Sequence, residues 1–167
     1  MSFTLATLKT AVQDYLQVSE TTFTNQLDTF IQEAESRIFK MVQLPEQRKN
    51  VQGTTSSGNR FLATPSDFFA PFSLAIINSS NKYIYLDFKH PSFLKEFSPT
   101  STTTGTPKYY SLFDDSAFEL SPVPNANFTV EVHYLHKPAS LTAGATTGTT
   151  ILSTDHPDAL LYGTLVE

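Results

Sequence analysis

The sequence predicts an α+β fold. A small helical bundle, formed by an N-terminal helical hairpin and a C-terminal helix, carries an inserted antiparallel β-rich region with a hairpin and a meander. Three observations predict it. Apolar residues recur at helical spacing from the start to Pro45. From about residue 50 the pattern changes to short apolar and aromatic runs separated by Gly, Asn, Ser, Asp and Pro. After residue 150 a capping pattern with proline leads into a leucine-rich stretch. The expected parts are a helical hairpin over 1–49, a β-rich insertion with one short helix over 50–150, and the start of a C-terminal helix over 151–167. At 167 residues all three fit in one compact domain.

Leu5, Leu8, Val12 and Tyr15 form the apolar stripe of a first helix, with Ser2 or Thr4 as its cap. Ser19 to Thr22 interrupts the stripe. Phe23, Leu27, Phe30, Ile31, Ala34, Ile38 and Met41 resume it as a longer second helix, in which Glu33 and Arg37 stand four apart in the favourable order. A short turn between two such helices predicts an αα-hairpin.

The loop at 53–59 is rich in turn residues and reads as the tip of a hairpin. Leu74–Ile77 and Tyr83–Leu86, flanking Asn78-Ser79-Ser80-Asn81, predict a β-hairpin. His90-Pro91-Ser92 starts a short helix whose apolar side is Phe93, Leu94 and Phe97. Three strands follow, at 109–113, 117–121 and 128–135, and their short connectors predict a meander. Residues 142–150 read as an exposed low-complexity stretch. Ser153 to Asp158 then supplies caps, a proline near the first helical position and acid in the first turn. The last helix reaches Glu167 with no glycine cap and no basic last turn, which predicts a longer protein with further helix.

Composition narrows function. Charged residues make up 16%, against about 25% in ordinary soluble domains. Fourteen Phe and seven Tyr exceed what a small core hides, so part of them is expected at subunit contacts. A net charge of −5 opposes binding through phosphate contacts. Without cysteine there is neither a disulfide nor a thiolate metal site. No apolar run approaches the roughly 18 residues of a membrane-spanning helix, and MSFTLATLKT has no signal-peptide pattern. The expected protein is soluble and has no membrane partner.

No catalytic, cofactor-binding or metal-binding residue is assigned. His133 and His136, three apart on a strand, fall on opposite faces. Glu131 and His133 share a face that could host a metal or a proton relay, though a solvated or subunit-facing strand surface is the plainer reading. His90 and His156 precede prolines at helix starts. Asp114 and Asp115 fit a turn better than a calcium site. Arg48-Lys49 reads as a solvated basic spot. Neither a nucleophile elbow nor a phosphate-binding loop is present.

Four stretches carry a family resemblance: Val42 to Asn50 with the turn after it, Leu62 to Phe68, Gly105 to Asp114, and Ala159 to Glu167. In that order and spacing, the whole chain resembles the head-to-tail adaptor (head–tail connector) proteins of tailed bacteriophages. The resemblance implies a non-enzymatic virion subunit without cofactors, assembled in the host cytoplasm and placed at the head–tail interface. It further implies a homo-oligomeric, twelvefold ring beneath the portal protein. Such a ring would extend the DNA channel, dock tail or nozzle proteins, and let DNA pass during genome ejection without specific binding. The polar loops at 53–59 and 98–106 are the candidates for reaching neighbouring subunits. Two alternatives stand beside this. One is a carbohydrate- or receptor-binding module of a tail fibre or baseplate, with Tyr83, Tyr85, Tyr109 and Tyr110 stacking on sugar rings. The other is an enzyme built on Glu131 and His133.

Overall fold

The computed structural model describes residues 2–100 and 102–167. The elements run α1 (Leu5–Leu16), α2 (Thr21–Met41), β1 (Arg48–Thr54), β2 (Phe61–Ala63), β3 (Phe68–Ile77), β4 (Tyr83–Tyr85), β5 (Asp87–Phe88) and α3 (Pro91–Phe97). They continue as β6 (Thr104–Gly105), β7 (Tyr109–Asp114), β8 (Ala117–Ser121), β9 (Val123–Pro124), β10 (Thr129–His136), α4 (Ile151–Asp155) and α5 (Pro157–Val166). The chain is therefore α+β, and it forms two compact units: residues 1–46 with 138–167, and residues 47–137.

In the helical unit, α1 starts where Thr4 and Thr7 exchange side-chain and backbone bonds in a capping box. It buries Leu5, Leu8 and Val12 of the predicted stripe, whereas Tyr15, its fourth member, is exposed and meets Tyr162 of α5 edge-on. Leu27, Ile31 and Phe39 of α2, Leu152 of α4, and Leu160 and Leu161 of α5 join that core, with Leu141 from a 3-10 turn. Burying each such side chain contributes about 1.5–3 kcal/mol. The insertion thus ends at residue 137 and not at 150, because Leu141 packs among the helices. The C-terminal stretch divides into two helices. Thr150 caps α4, and Pro157 opens α5 with Asp158 in its first turn. Met41, placed on the apolar stripe by its spacing, is exposed, since it lies in the last turn of α2.

The β unit holds two four-stranded sheets, ordered β1-β10-β3-β4 and β2-β8-β7-β5, and a two-stranded β6-β9 pair. The first sheet is antiparallel throughout. The predicted β3–β4 hairpin is present, turning at Asn78–Lys82 with Asn81 at φ 57°. Leu74 and Ile76 of β3, and Val130, Val132 and Tyr134 of β10, face a common core with Leu62, Tyr110, Phe118 and Leu120 of the second sheet. Alternation leaves Thr129, Glu131 and His133 on the outer face.

Three expectations are corrected here. The three late strands do not form a meander: β7 and β8 pair with each other, but β10 pairs with β1 and β3. Pro122-Val123-Pro124 lies between β8 and β10, and a proline has no N–H to extend a ladder, so the chain crosses to the other sheet. The loop at 53–59 is not a hairpin tip. It leads from β1, paired with β10, to β2, paired with β8. The region is also not wholly antiparallel, because β5–β7 and β6–β9 are parallel pairs.

Candidate functional site

The outer face of the first sheet gathers polar side chains from all four of its strands. Glu131, central on β10, is its hub. Gln52 of β1 donates to Glu131 Oε2 at 3.1 Å, and the Tyr83 hydroxyl of β4 reaches the same oxygen at 3.4 Å. Oε1 lies 3.1 Å from His133 Nε2, and His133 Nδ1 lies 2.9 Å from Ser73 Oγ of β3. The shared face of Glu131 and His133 follows from strand alternation. Ser73, Gln52 and Tyr83 come from other strands far along the chain, and no local pattern announced them.

Ser73, His133 and Glu131 form a line that could pass a proton. It does not place a nucleophile as hydrolases do. Ser73 lies within β3, beside a register shift that leaves Phe72 unpaired, and not in a tight strand-to-helix turn; it is the residue paired with His133 across the ladder. His136 is a separate residue chemically: it is buried, and its Nδ1 lies 2.8 Å from the Gln47 carbonyl oxygen. Among the described residues, no three His, Asp or Glu side chains come together with metal-binding geometry.

The other weighed residues have defined partners. Asp114 accepts from the Ser116 hydroxyl at 2.7 Å and the Ser116 N–H at 2.8 Å, which makes it a turn residue and holds its carboxyl below the usual range. Lys49 pairs with Asp67 at 2.7 Å, and the Arg48 guanidinium lies 4.9 Å from the Phe72 ring centroid. His90 caps α3 by accepting from the Ser92 N–H. Arg37 bonds Glu167 at 2.7 Å and not the predicted Glu33. Of the four candidate sugar-stacking tyrosines, Tyr83 and Tyr85 are exposed and stack on each other with centroids 6.5 Å apart. Tyr110 is buried among core aromatics, and Tyr109 packs edge-on against Phe93 and Phe97.

A second polar cluster was not legible at all. Glu119 of β8 is 2% exposed and receives both Arg60, at 3.1 Å, and Lys95 of α3. These charges are spent on one another inside the unit, consistent with a structural use.

Large apolar side chains nonetheless remain at the surface. Phe72, Phe88, Phe113, Tyr83 and Tyr85 are each at least half exposed. Scattered exposed apolar residues are ordinary; several aromatics on one unit are characteristic of surfaces that meet a partner. No helix is long and apolar enough to cross a membrane among the described residues.

The sequence model of the SU10 adaptor protein family matches residues 3–167. No curated protein matches the chain.

Proposed function

Because this chain belongs to the SU10 adaptor protein family, a family of phage head–tail adaptors, we propose that it is a ring-forming structural subunit between portal and tail. In this reading α1 and α2 form an antiparallel hairpin closed by α5, and that bundle carries the β unit. Copies close side by side into a twelvefold ring under the portal, extend the DNA channel, and offer tail or nozzle proteins a docking surface. The subunit works in the virion, after assembly in the host cytoplasm, and serves genome ejection as a conduit and not as a catalyst.

The observation that carries the reading is the family match over nearly the entire chain. Physical chemistry supports it. A net charge of −5 suits a duct that DNA slides through, since phosphate contacts would grip it. The low charge content and exposed aromatics suit broad contacts between copies. The test is the molecular mass of the full chain by light scattering, alone and with the cognate portal. A multimer, or co-assembly matching the portal's stoichiometry, is expected. A monomer that ignores the portal would overturn the reading.

A further inference from the structure

Among the described residues the first sheet is open at both ends: β1 pairs only with β10, and β4 only with β3. All seven residues of β1 and all three of β4 are exposed. An edge strand points alternate backbone N–H and C=O groups away from its sheet, where they can template a further strand.

The ladders decide which residues these are. The Thr55 N–H donates to the Phe128 carbonyl at 2.9 Å, so by alternation Gly53–Val130 and Val51–Val132 are hydrogen-bonded pairs. Asn50 and Gln52 therefore direct their backbone groups outward. On the opposite edge, Asn78 N–H donates to Lys82 O at 3.0 Å and Leu86 N–H to Leu74 O at 2.9 Å. Ile76–Ile84, midway between them, is then the hydrogen-bonded pair, and Tyr83 and Tyr85 direct their backbone groups outward.

Side chains agree with this pattern. Gln52 and Tyr83 meet Glu131 on the outer face, and Asn50 and Tyr85 share that face by alternation. Between them, Val51 and Ile84 lie in register with the core residues Val132 and Ile76, yet are 40% and 38% exposed. Each edge thus leaves one apolar side chain of the inner face half covered. Because the four strands alternate in direction, β1 and β4 run opposite ways. A second copy laid alongside, with the same face outward, brings its β4 antiparallel to β1. Arg48 and Lys49 do not oppose this approach, being engaged by Phe72 and Asp67 of their own chain.

We infer that β1 of one copy pairs with β4 of the next, with Val51 opposite Ile84, Asn50 opposite Tyr85 and Gln52 opposite Tyr83. The outer two are hydrogen-bonded pairs, and Val51 with Ile84 completes the apolar face between them. The contact is head-to-tail, the kind that closes into a ring when the rotation per copy allows. It rests on the ring reading and names the surface that the ring uses.

The absence of cysteine makes a direct test available. Directly opposed residues in antiparallel strands have Cβ atoms about 4.5–5.5 Å apart, within disulfide reach after small adjustment. Within one chain, positions 51 and 84 are three strand spacings apart, on the order of 14 Å, too far to bridge. The full chain carrying Val51→Cys and Ile84→Cys, oxidised alone and with the portal, is expected to give a ladder of covalent multimers on a non-reducing denaturing gel. Neither single variant should do so. As a second variant, Asn50→Pro deletes one outward N–H without touching the β10 ladder; its mass is expected to drop to the monomer while its circular dichroism stays unchanged. Multimers by light scattering without the covalent ladder would overturn this joint and leave the ring reading standing. Crosslinking by Val51→Cys alone would place β1 against β1 and overturn it too. Failure to assemble even with the portal would overturn the ring reading, and this inference with it.

Discussion

Tyr134 lies in the β core with its hydroxyl donating to Asp67 Oδ1 at 2.7 Å, while Lys49 holds the other carboxylate oxygen. Burial, then the Asp67 hydrogen bond and charge, push the Tyr134 hydroxyl up to about 12. The Lys49 hydrogen bond, followed by that of Tyr134, holds Asp67 below the usual carboxylate range. The signs are opposite in consequence. A raised phenol means that the unfolded chain loses its proton first, near 10, so the stability it contributes is complete below that pH and is lost as pH rises toward 12. A lowered carboxylate contributes stability above about pH 4 that is lost as pH falls through its folded value. Tyr134→Phe is expected to flatten the alkaline decline, and melting temperatures measured from pH 9 to 12 check it: a slope equal to that of the parent would refute the assignment. None of this triad was legible in the sequence. Lys49 read as part of a solvated basic spot, because its meeting with Asp67 depends on which strands pair.

At the scale of elements, the helices were the legible part. Their caps and stripes are local, so Thr4, Pro157 and the spacing of Leu5, Leu8 and Val12 announced α1 and α5 before any packing was known. Five strands, β3, β4, β7, β8 and β10, were found near their observed residues, while β1, β2, β5, β6 and β9 were not named, and the partners of β10 were not foreseen. Pairing is settled by a core shared across the chain: β10 joins β1 and β3, some 80 and 60 residues away, and not β8, the predicted strand before it. For the same reason the outer-face cluster was half legible. Glu131 and His133 lie on one strand, whereas Ser73, Gln52 and Tyr83 arrive by pairing. Helix packing supplies the prediction here. A Cβ on Gly163 of α5 would stand 3.4 Å from Ile38 Cδ1 and 3.5 Å from Ala34 Cβ of α2, so a methyl just fits and a larger group does not. Gly163→Ala is expected to be neutral or to stabilise by up to about 1 kcal/mol through helix propensity. Gly163→Leu is expected to cost roughly 1–3 kcal/mol by overpacking. Chemical denaturation of both variants reads the difference, and equal midpoints would argue against a close α2–α5 contact.

For the whole molecule, the division into two units matters most. Each has its own apolar core, Leu8, Ile31 and Leu160 in one and Phe118, Ile76 and Val132 in the other. The β unit also satisfies its buried charge internally, through Glu119 with Arg60 and Lys95. A fragment of residues 47–137 is therefore expected to fold alone and melt cooperatively, as followed by circular dichroism; a broad, non-cooperative melt would show that it borrows stability from the helices. The register makes a further point. The β unit begins on β1 and ends on β10, and those strands pair with Arg48 opposite Leu135. Entry and exit are thus neighbours, and the 91 residues between helices occupy a gap that a few would span. Such a segment can be lengthened, replaced or exchanged by recombination without disturbing the frame on either side. A lineage can rewrite the cassette while the helices keep their sequence, so divergence is expected to concentrate within 47–137, which a comparison of family members would check.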